Sequence, residues 1–281
     1  MKLQVTHRTR YTYASPVRDS FNEVRLRPLT NEHQTCDSFL LKVLPAARLS
    51  HYTDFHANII HFFELPTPHS SLLVESSAKV MTFPLSTDPA ASPVPMARLQ
   101  ECKRDERCFD FLSESTHVEK SPEAWRLALD VTAEAQDIWQ AACAIMGHVH
   151  STFTYTPNVT SVHTHMRDVL HDRRGVCQDF AHVMLGLCRA IHIPALYVSG
   201  YLYNGPLDQL LGSQASHAWC EVFIPGLGWC GLDPTNNQRT DERYIKLAVG
   251  SDYADVPPVR GHYKGTTDRR MDVEVQVSQI E

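Results

Sequence analysis

The chain has 281 residues, 43% of them hydrophobic, with 26 Lys and Arg against 32 Asp and Glu for a formal net charge of -6. That is enough apolar material for a sizeable core and, at this length, for two units, which excludes a disordered or fibrous chain. The negative balance gives no basic field for nucleic acid or an anionic membrane, and no apolar run approaches the roughly 20 residues that span a bilayer. Residues 1–10 lack the apolar core of a signal peptide, so the expected location is cytoplasmic.

Residues 1–85 read as strands. Leu3, Val5, His7, Thr9, Tyr11 and Tyr13 alternate with Gln4, Thr6, Arg8 and Arg10, and residues 23–29, 38–44, 59–65 and 72–83 add β-prone runs between turn formers. An N-terminal antiparallel β-sandwich is the expected result. Pro89, Pro93 and Pro95 mark residues 86–97 as a linker without regular elements. Residues 98–281 form the second unit. Within it, residues 98–112 are predicted helical around Cys102 and Cys108, whose interval suits neither a zinc knuckle nor a redox pair. Ser121-Pro122-Glu123 starts a second helix, and residues 132–150 bury Ala135, Ile138, Ala142, Ile145 and Val149 along a third. Residues 153–155 read as a short extended segment.

The 8 cysteines show no framework spacing and fit free thiols. The 16 histidines include the alternating pairs His148 and His150, and His163 and His165, without Cys or carboxylates at ligand spacing. No calcium loop or Gly-rich phosphate loop is present, so neither metal nor cofactor is expected.

One thiol stands apart. In Arg174-Gly175-Val176-Cys177-Gln178-Asp179-Phe180, Gly175 permits a sharp bend, and Phe180, Met184, Leu187, Cys188 and Ile191 then trace a buried helical stripe that Pro194 ends. Cys177 falls in the first turn, where unpaired N–H groups and the helix dipole favour a thiolate over a thiol. About forty residues on, residues 216–235 read as a β-hairpin with a turn at Pro225-Gly226. His217, Trp219, Glu221 and Phe223 share one strand face; Trp229, Gly231 and Asp233 share a face of the partner strand. A three-residue loop over 224–226 would oppose His217 to Asp233 and Cys220 to Cys230. A five-residue loop would shift the pairing by two and still let imidazole and carboxylate meet, whereas an even loop would separate them.

The blocks 175–181, 193–194, 198–201, 217–221, 228–229 and 233–235, in this order and spacing, resemble the transglutaminase-like superfamily. The resemblance implies an α+β, papain-like core with helices packed on an antiparallel sheet, and Cys177, His217 and Asp233 as its triad. Residues 21–28 and 52–58 are similar to the β-domain that precedes this core in bacterial members. Ala57 stands where that pattern has Gly; residues 244–258 also resemble the bacterial family, with Ser251 where it has Arg. The resemblance implies acyl transfer at an amide bond through a thioester, with a peptide or protein expected as substrate. Hydrolysis is favoured over transamidation because Gln178 replaces the Trp characteristic of eukaryotic transglutaminases. The backbone N–H of Cys177 and the Tyr155 hydroxyl are candidate oxyanion donors, and Gln178, Trp219 and Glu221 candidate cleft residues. Two rivals remain: an idle binding module, and a redox protein using Cys220 and Cys230.

Overall fold

The computed structural model describes residues 1–85, 88–157, 159–160, 164–205 and 216–280. The chain begins with β1 (Lys2–Val24), β2 (Gln34–Leu44), β3 (Ser50–Thr53), β4 (Ile59–Leu65) and β5 (His69–Thr82). Next come α1 (Leu99–Cys102), α2 (Pro122–Val131), α3 (Ile138–Thr152), β6 (Thr154–Tyr155), α4 (Met166–Asp172), β7 (Arg174–Gly175) and α5 (Cys177–Ala190). It closes with β8 (Ala195–Leu202), β9 (Ser216–Ile224), β10 (Gly228–Asp233), β11 (Gln238–Arg239), β12 (Tyr244–Gly250), β13 (Val259–Lys264) and β14 (Arg269–Gln279). No described helix is long and apolar enough to cross a membrane.

β1 serves two sheets. Its first half pairs with β5 and β14, its second half with β4 and β13. The change happens around Pro16, which has no N–H to give a ladder: register shifts fall between Thr12 and Val17 and between Arg18 and Phe21. Such irregularities let one strand turn the corner between two packed layers, the expected sandwich. The alternation read at residues 3–13 is real, with Leu3, Val5, His7, Thr9, Tyr11 and Tyr13 all buried.

Residues 271–280 alternate Met271, Val273, Val275 and Val277 with Asp272, Glu274 and Gln276, a pattern that predicts a half-buried closing strand on either the core sheet or the N-terminal unit. It takes the second, pairing with β1 from Leu3↔Gln279 to Tyr13↔Arg269. With β5 on one edge of β1, the other edge would present open N–H and C=O groups, and the far end of the chain covers it.

Several local expectations fail for identifiable reasons. Residues 25–29 leave the sheet, because the Arg25 and Leu29 N–H groups bond to Pro258 and Lys246 carbonyls outside it. The linker holds short 3-10 turns at Pro89–Ala91 and Met96–Arg98, the first capped by Asp88. Residues 98–112 give only the four-residue α1 and two 3-10 turns, since the Asp105 carboxylate accepts from Arg107 N–H and starts a new turn there. α3 starts at Ile138, not near 132, because Asp137 caps it by accepting from Gln140 N–H at 2.8 Å. Ala57 has a φ of 63°, the left-handed region in which a Cβ is strained. Ala57→Gly is therefore expected to raise stability by about 0.5–1 kcal/mol, read as an upward shift of the urea midpoint.

The core sheet runs β11-β10-β9-β8-β12 and is antiparallel throughout. α3 and α5 cover one face, while Tyr201, Ile245 and Leu247 on the other join the core of the N-terminal unit. Covering on both faces explains why every residue of β8 is buried and its sequence shows no alternation. Two side-chain amides seal β12 against the N-terminal unit. Gln34 gives Nε2–H to Lys246 O at 2.9 Å and takes Lys246 N–H at 2.8 Å; Asn58 does the same at Val249, at 2.7 and 2.8 Å. Each amide satisfies both backbone groups of one edge residue, as a neighbouring strand would. α5 is buried around its whole circumference from Asp179 to Arg189, not along one stripe. It ends at Ala190, ahead of Pro194, where His192 takes a φ of 66° and Ile193 N–H returns to Cys188 O at 2.9 Å.

Candidate active site

Cys177 is the first residue of α5. β6 and β7 pair in parallel and deliver the chain to this point, with Tyr155 beside Gly175. The Asp179 carboxylate then folds back, accepting Val176 N–H at 2.7 Å and the Thr160 hydroxyl at 2.6 Å. One free helix-start donor is thereby satisfied and the entry angle is fixed. Gly175 is needed here for space, not for bending: a Cβ would come within 2.7 Å of Asp179 Cβ. Burial raises the Asp179 carboxyl above the usual carboxylate range, despite its bonds to Thr160 and Val176. The sequence signal for Asp179 is the capping box, an acid three residues into a helix.

The hairpin loop has three residues but spans Pro225, Gly226 and Leu227, one later than expected, so Gly228 pairs with Ile224 and Trp229 with Phe223. The register moves by two. An even shift preserves the faces, and His217 and Asp233 still meet, now diagonally, with Nε2 and Oδ2 2.7 Å apart. The same shift separates Cys220, opposite Leu232, from Cys230, opposite Val222. Cys220 donates instead to Ala181 O at 3.3 Å, and burial pushes its thiol well up. The redox pair does not form.

Asp233 is 0% exposed and heavily held. Its Oδ2 also accepts Asn236 Nδ2–H at 2.6 Å and the Tyr244 hydroxyl at 2.7 Å, while Oδ1 accepts the N–H groups of Thr235 at 2.8 Å and Asn236 at 3.2 Å. Burial alone would raise its carboxyl, but the His217, Asn236 and Tyr244 bonds win and hold it below the usual range. His217 is 8% exposed. Burial works against its charge too, yet hydrogen bonds to Asp233 and Cys177 push it up to about 10, so the ring is an imidazolium at neutral pH. Imidazole and carboxylate are thus hydrogen-bonded, and the Cys177 sulfur is close enough to act on the same ring. Asn236 and Tyr244 escaped sequence reading; the Asp-Pro-Thr-Asn turn was visible, but not the strand that brings Tyr244 back.

The other candidates divide. Cys177 and Gln178 both line a cleft of about 220 Å³ that also reaches His217. Tyr155 stands near the sulfur, its hydroxyl raised first by burial and then by Cys177 and Asp179, but it is not among the cleft's lining residues. Trp219 does not line the cleft either: it is buried, stacked on His217 at 6.2 Å and against Tyr244 at 5.2 Å, and so braces the ring from behind. Glu221 shares the face of His217 but lies four residues, about 13 Å, further along the strand. There it pairs with Lys246 at 2.5 Å and faces a separate cavity with Phe111 and Trp229. Among the described residues no group of three or more His, Cys, Asp or Glu could hold a metal. His163 lies outside the described residues.

Residues 3–81 match the bacterial transglutaminase-like N-terminal region, and residues 126–234 match the transglutaminase-like superfamily. An uncharacterized protein of Mycobacterium leprae is 35% identical over 99% of this chain and 99% of its own length. A protein-glutamine gamma-glutamyltransferase of Pseudomonas aeruginosa is 34% identical over 52% of this chain and 24% of its own. The crystal structure of a candidate cysteine protease from Cytophaga hutchinsonii superposes with a TM-score of 0.79 at 24% identity, covering 100% of this chain and 92% of that one; this likeness is one of fold.

Proposed function

We propose that this chain, which belongs to the transglutaminase-like superfamily, is a cysteine-dependent enzyme that transfers an acyl group from a peptide or protein amide, normally to water. The observation that supports this reading is that His217, bonded to Asp233 at 2.7 Å, lines the same cleft as Cys177, whose sulfur acts on the ring. His217 holds the proton of Cys177, and Asp233 holds the ring. The thiolate attacks the amide carbonyl, and the oxyanion that develops takes a hydrogen bond from the Cys177 N–H. His217 passes its proton to the leaving amine, the C–N bond breaks and a thioester remains. Water then releases the acid, with His217 taking up the proton as general base.

Transamidation is the second reading, and the Pseudomonas aeruginosa relative favours it. Hydrolysis comes first because Gln178 stands where eukaryotic transglutaminases carry Trp. Incubating the protein with a peptide library, with and without added amines, and reading products by mass spectrometry separates free acid from amine adducts. Cys177→Ala is expected to abolish either product without changing the melting temperature by more than about 1 °C, since this half-buried side chain loses only its sulfur. Wild-type Cys177 is expected to react with iodoacetamide at mildly acidic pH faster than free cysteine. Turnover persisting in Cys177→Ala would move the nucleophile elsewhere. A thiol no more reactive than free cysteine would leave a binding module on the same fold.

A further inference from the structure

The cleft at Cys177 is walled by both ends of the chain. β1 contributes Thr9 and Tyr11, and β14 contributes Met271 and Val273, with Val259 at the start of β13. Apart from the Cys177–His217 pair, none of its described lining residues is Asp, Glu, Lys or Arg. His7, also in the wall, has both ring nitrogens occupied, Nδ1 by the Tyr201 hydroxyl at 2.9 Å and Nε2 by Thr9 Oγ1 at 3.0 Å. Burial lowers its pKa to about 4, so it brings no charge. Arg269 on β14 is laid over the Tyr11 and Tyr263 rings, 5.5 and 5.8 Å from their centroids.

Met271 and Val273 are large apolar side chains left 55% and 38% exposed. With Val259 they make an apolar shelf in the same cleft as the sulfur. A carboxylate or ammonium docked on it would give up water without gaining a counter-ion, because none of these three side chains carries a charge.

We propose that this shelf, built by the two ends of the chain and not by the helical core, selects an acyl donor with an uncharged aliphatic side chain. The proposal rests on the acyl-transfer reading given above. Selection acts on the residue whose carbonyl the sulfur attacks, and Met271 is its specificity-determining residue.

Peptide vinyl sulfones test it, with Leu, Gln, Glu or Lys next to the warhead; the Cys177 sulfur bonds the far vinyl carbon, the carbon next to the sulfone takes up one proton as the double bond is lost, and labelling is followed by intact mass. The Leu probe is expected to label at least about tenfold faster than the Glu and Lys probes, the fold-change for one uncompensated charge worth about 1.4 kcal/mol. Labelling by Glu or Lys at the Leu rate, or fastest labelling by Gln, overturns the proposal. Rapid labelling by iodoacetamide with none by any peptide probe also overturns it, while leaving the activated thiol intact. A failure of iodoacetamide as well overturns the acyl-transfer reading itself. In Met271→Asp, the Leu rate relative to the iodoacetamide rate should fall about tenfold and the Lys rate should rise; an unchanged ratio in a folded variant removes Met271 from the role.

Discussion

Asp233→Ala is expected to lower kcat/KM of the proposed acyl transfer by about 10³- to 10⁴-fold, the size of effect seen when a triad's third member is lost. The cause lies in the neighbourhood of the carboxylate. His217 is charged because its bonds to Asp233 and Cys177 outweigh burial; without Asp233, burial dominates and the value falls from about 10 toward or below the ordinary 6.5. The alkaline limb of kcat/KM should therefore move from near pH 10 to lower pH in the variant. Stability follows the same signs. A raised His217 contributes stability that is fully present below pH 6.5 and lost as pH rises through about 10. A lowered Asp233 contributes stability present above its ordinary 3.8 and lost as pH falls through the lower folded value. The wild type should thus keep both contributions in full between about pH 4 and 6.5, while the variant loses both dependences. It should also lose about 3 kcal/mol at neutral pH, because the Thr235 and Asn236 N–H groups, the Asn236 amide and the Tyr244 hydroxyl lose their shared acceptor. A pH-rate profile and urea titrations at several pH values read these effects; an unmoved alkaline limb would show that Asp233 does not set the state of His217.

Arg189→Ala is expected to cost about 3–5 kcal/mol of folding stability, a large share of what a domain has. Arg189 is 1% exposed, in the last turn of α5. Its guanidinium donates to Ala195 O at 2.8 and 3.1 Å, to Ser251 O at 2.5 Å, to Ser113 O at 3.2 Å and to Ser115 Oγ at 3.3 Å. One side chain therefore ties the central helix to the start of β8, to the loop after β12 and to the segment before α2. Removing it strands buried carbonyl groups that water cannot reach without opening the core. Ser251, where the family pattern has Arg, takes part through its carbonyl, so the change of side chain leaves this bond intact. Arg189→Lys should recover less than half of the loss, since an ammonium lacks the flat fork that reaches several acceptors at once. The shift of the urea midpoint measures both variants. A loss below about 1 kcal/mol in Arg189→Ala would mean that these carbonyl groups find other donors.

What the sequence determines by itself is whatever local periodicity and punctuation can encode. The start of α5 at Cys177 is legible because Gly175 and the apolar spacing from Phe180 act within two turns of chain. That His217 and Asp233 share a face is legible as well, because an odd loop preserves strand parity even though the register chosen here differs by two from the first expectation. Tertiary structure decides what depends on partners far away in the chain. Asn236 and Tyr244 become ligands of Asp233 only once the turn and β12 fold back around it. Trp219 and Glu221 share the face of His217, but neither enters the cleft: Trp219 is buried behind the ring, and Glu221 is carried by the strand rise to Lys246. The tail at 269–279 carries the same alternation wherever it lands; the open edge of β1 decides its place, and with it one wall of the cleft. An element can specify its own faces, but which surface covers each face depends on the edges and apolar areas that the rest of the chain leaves open.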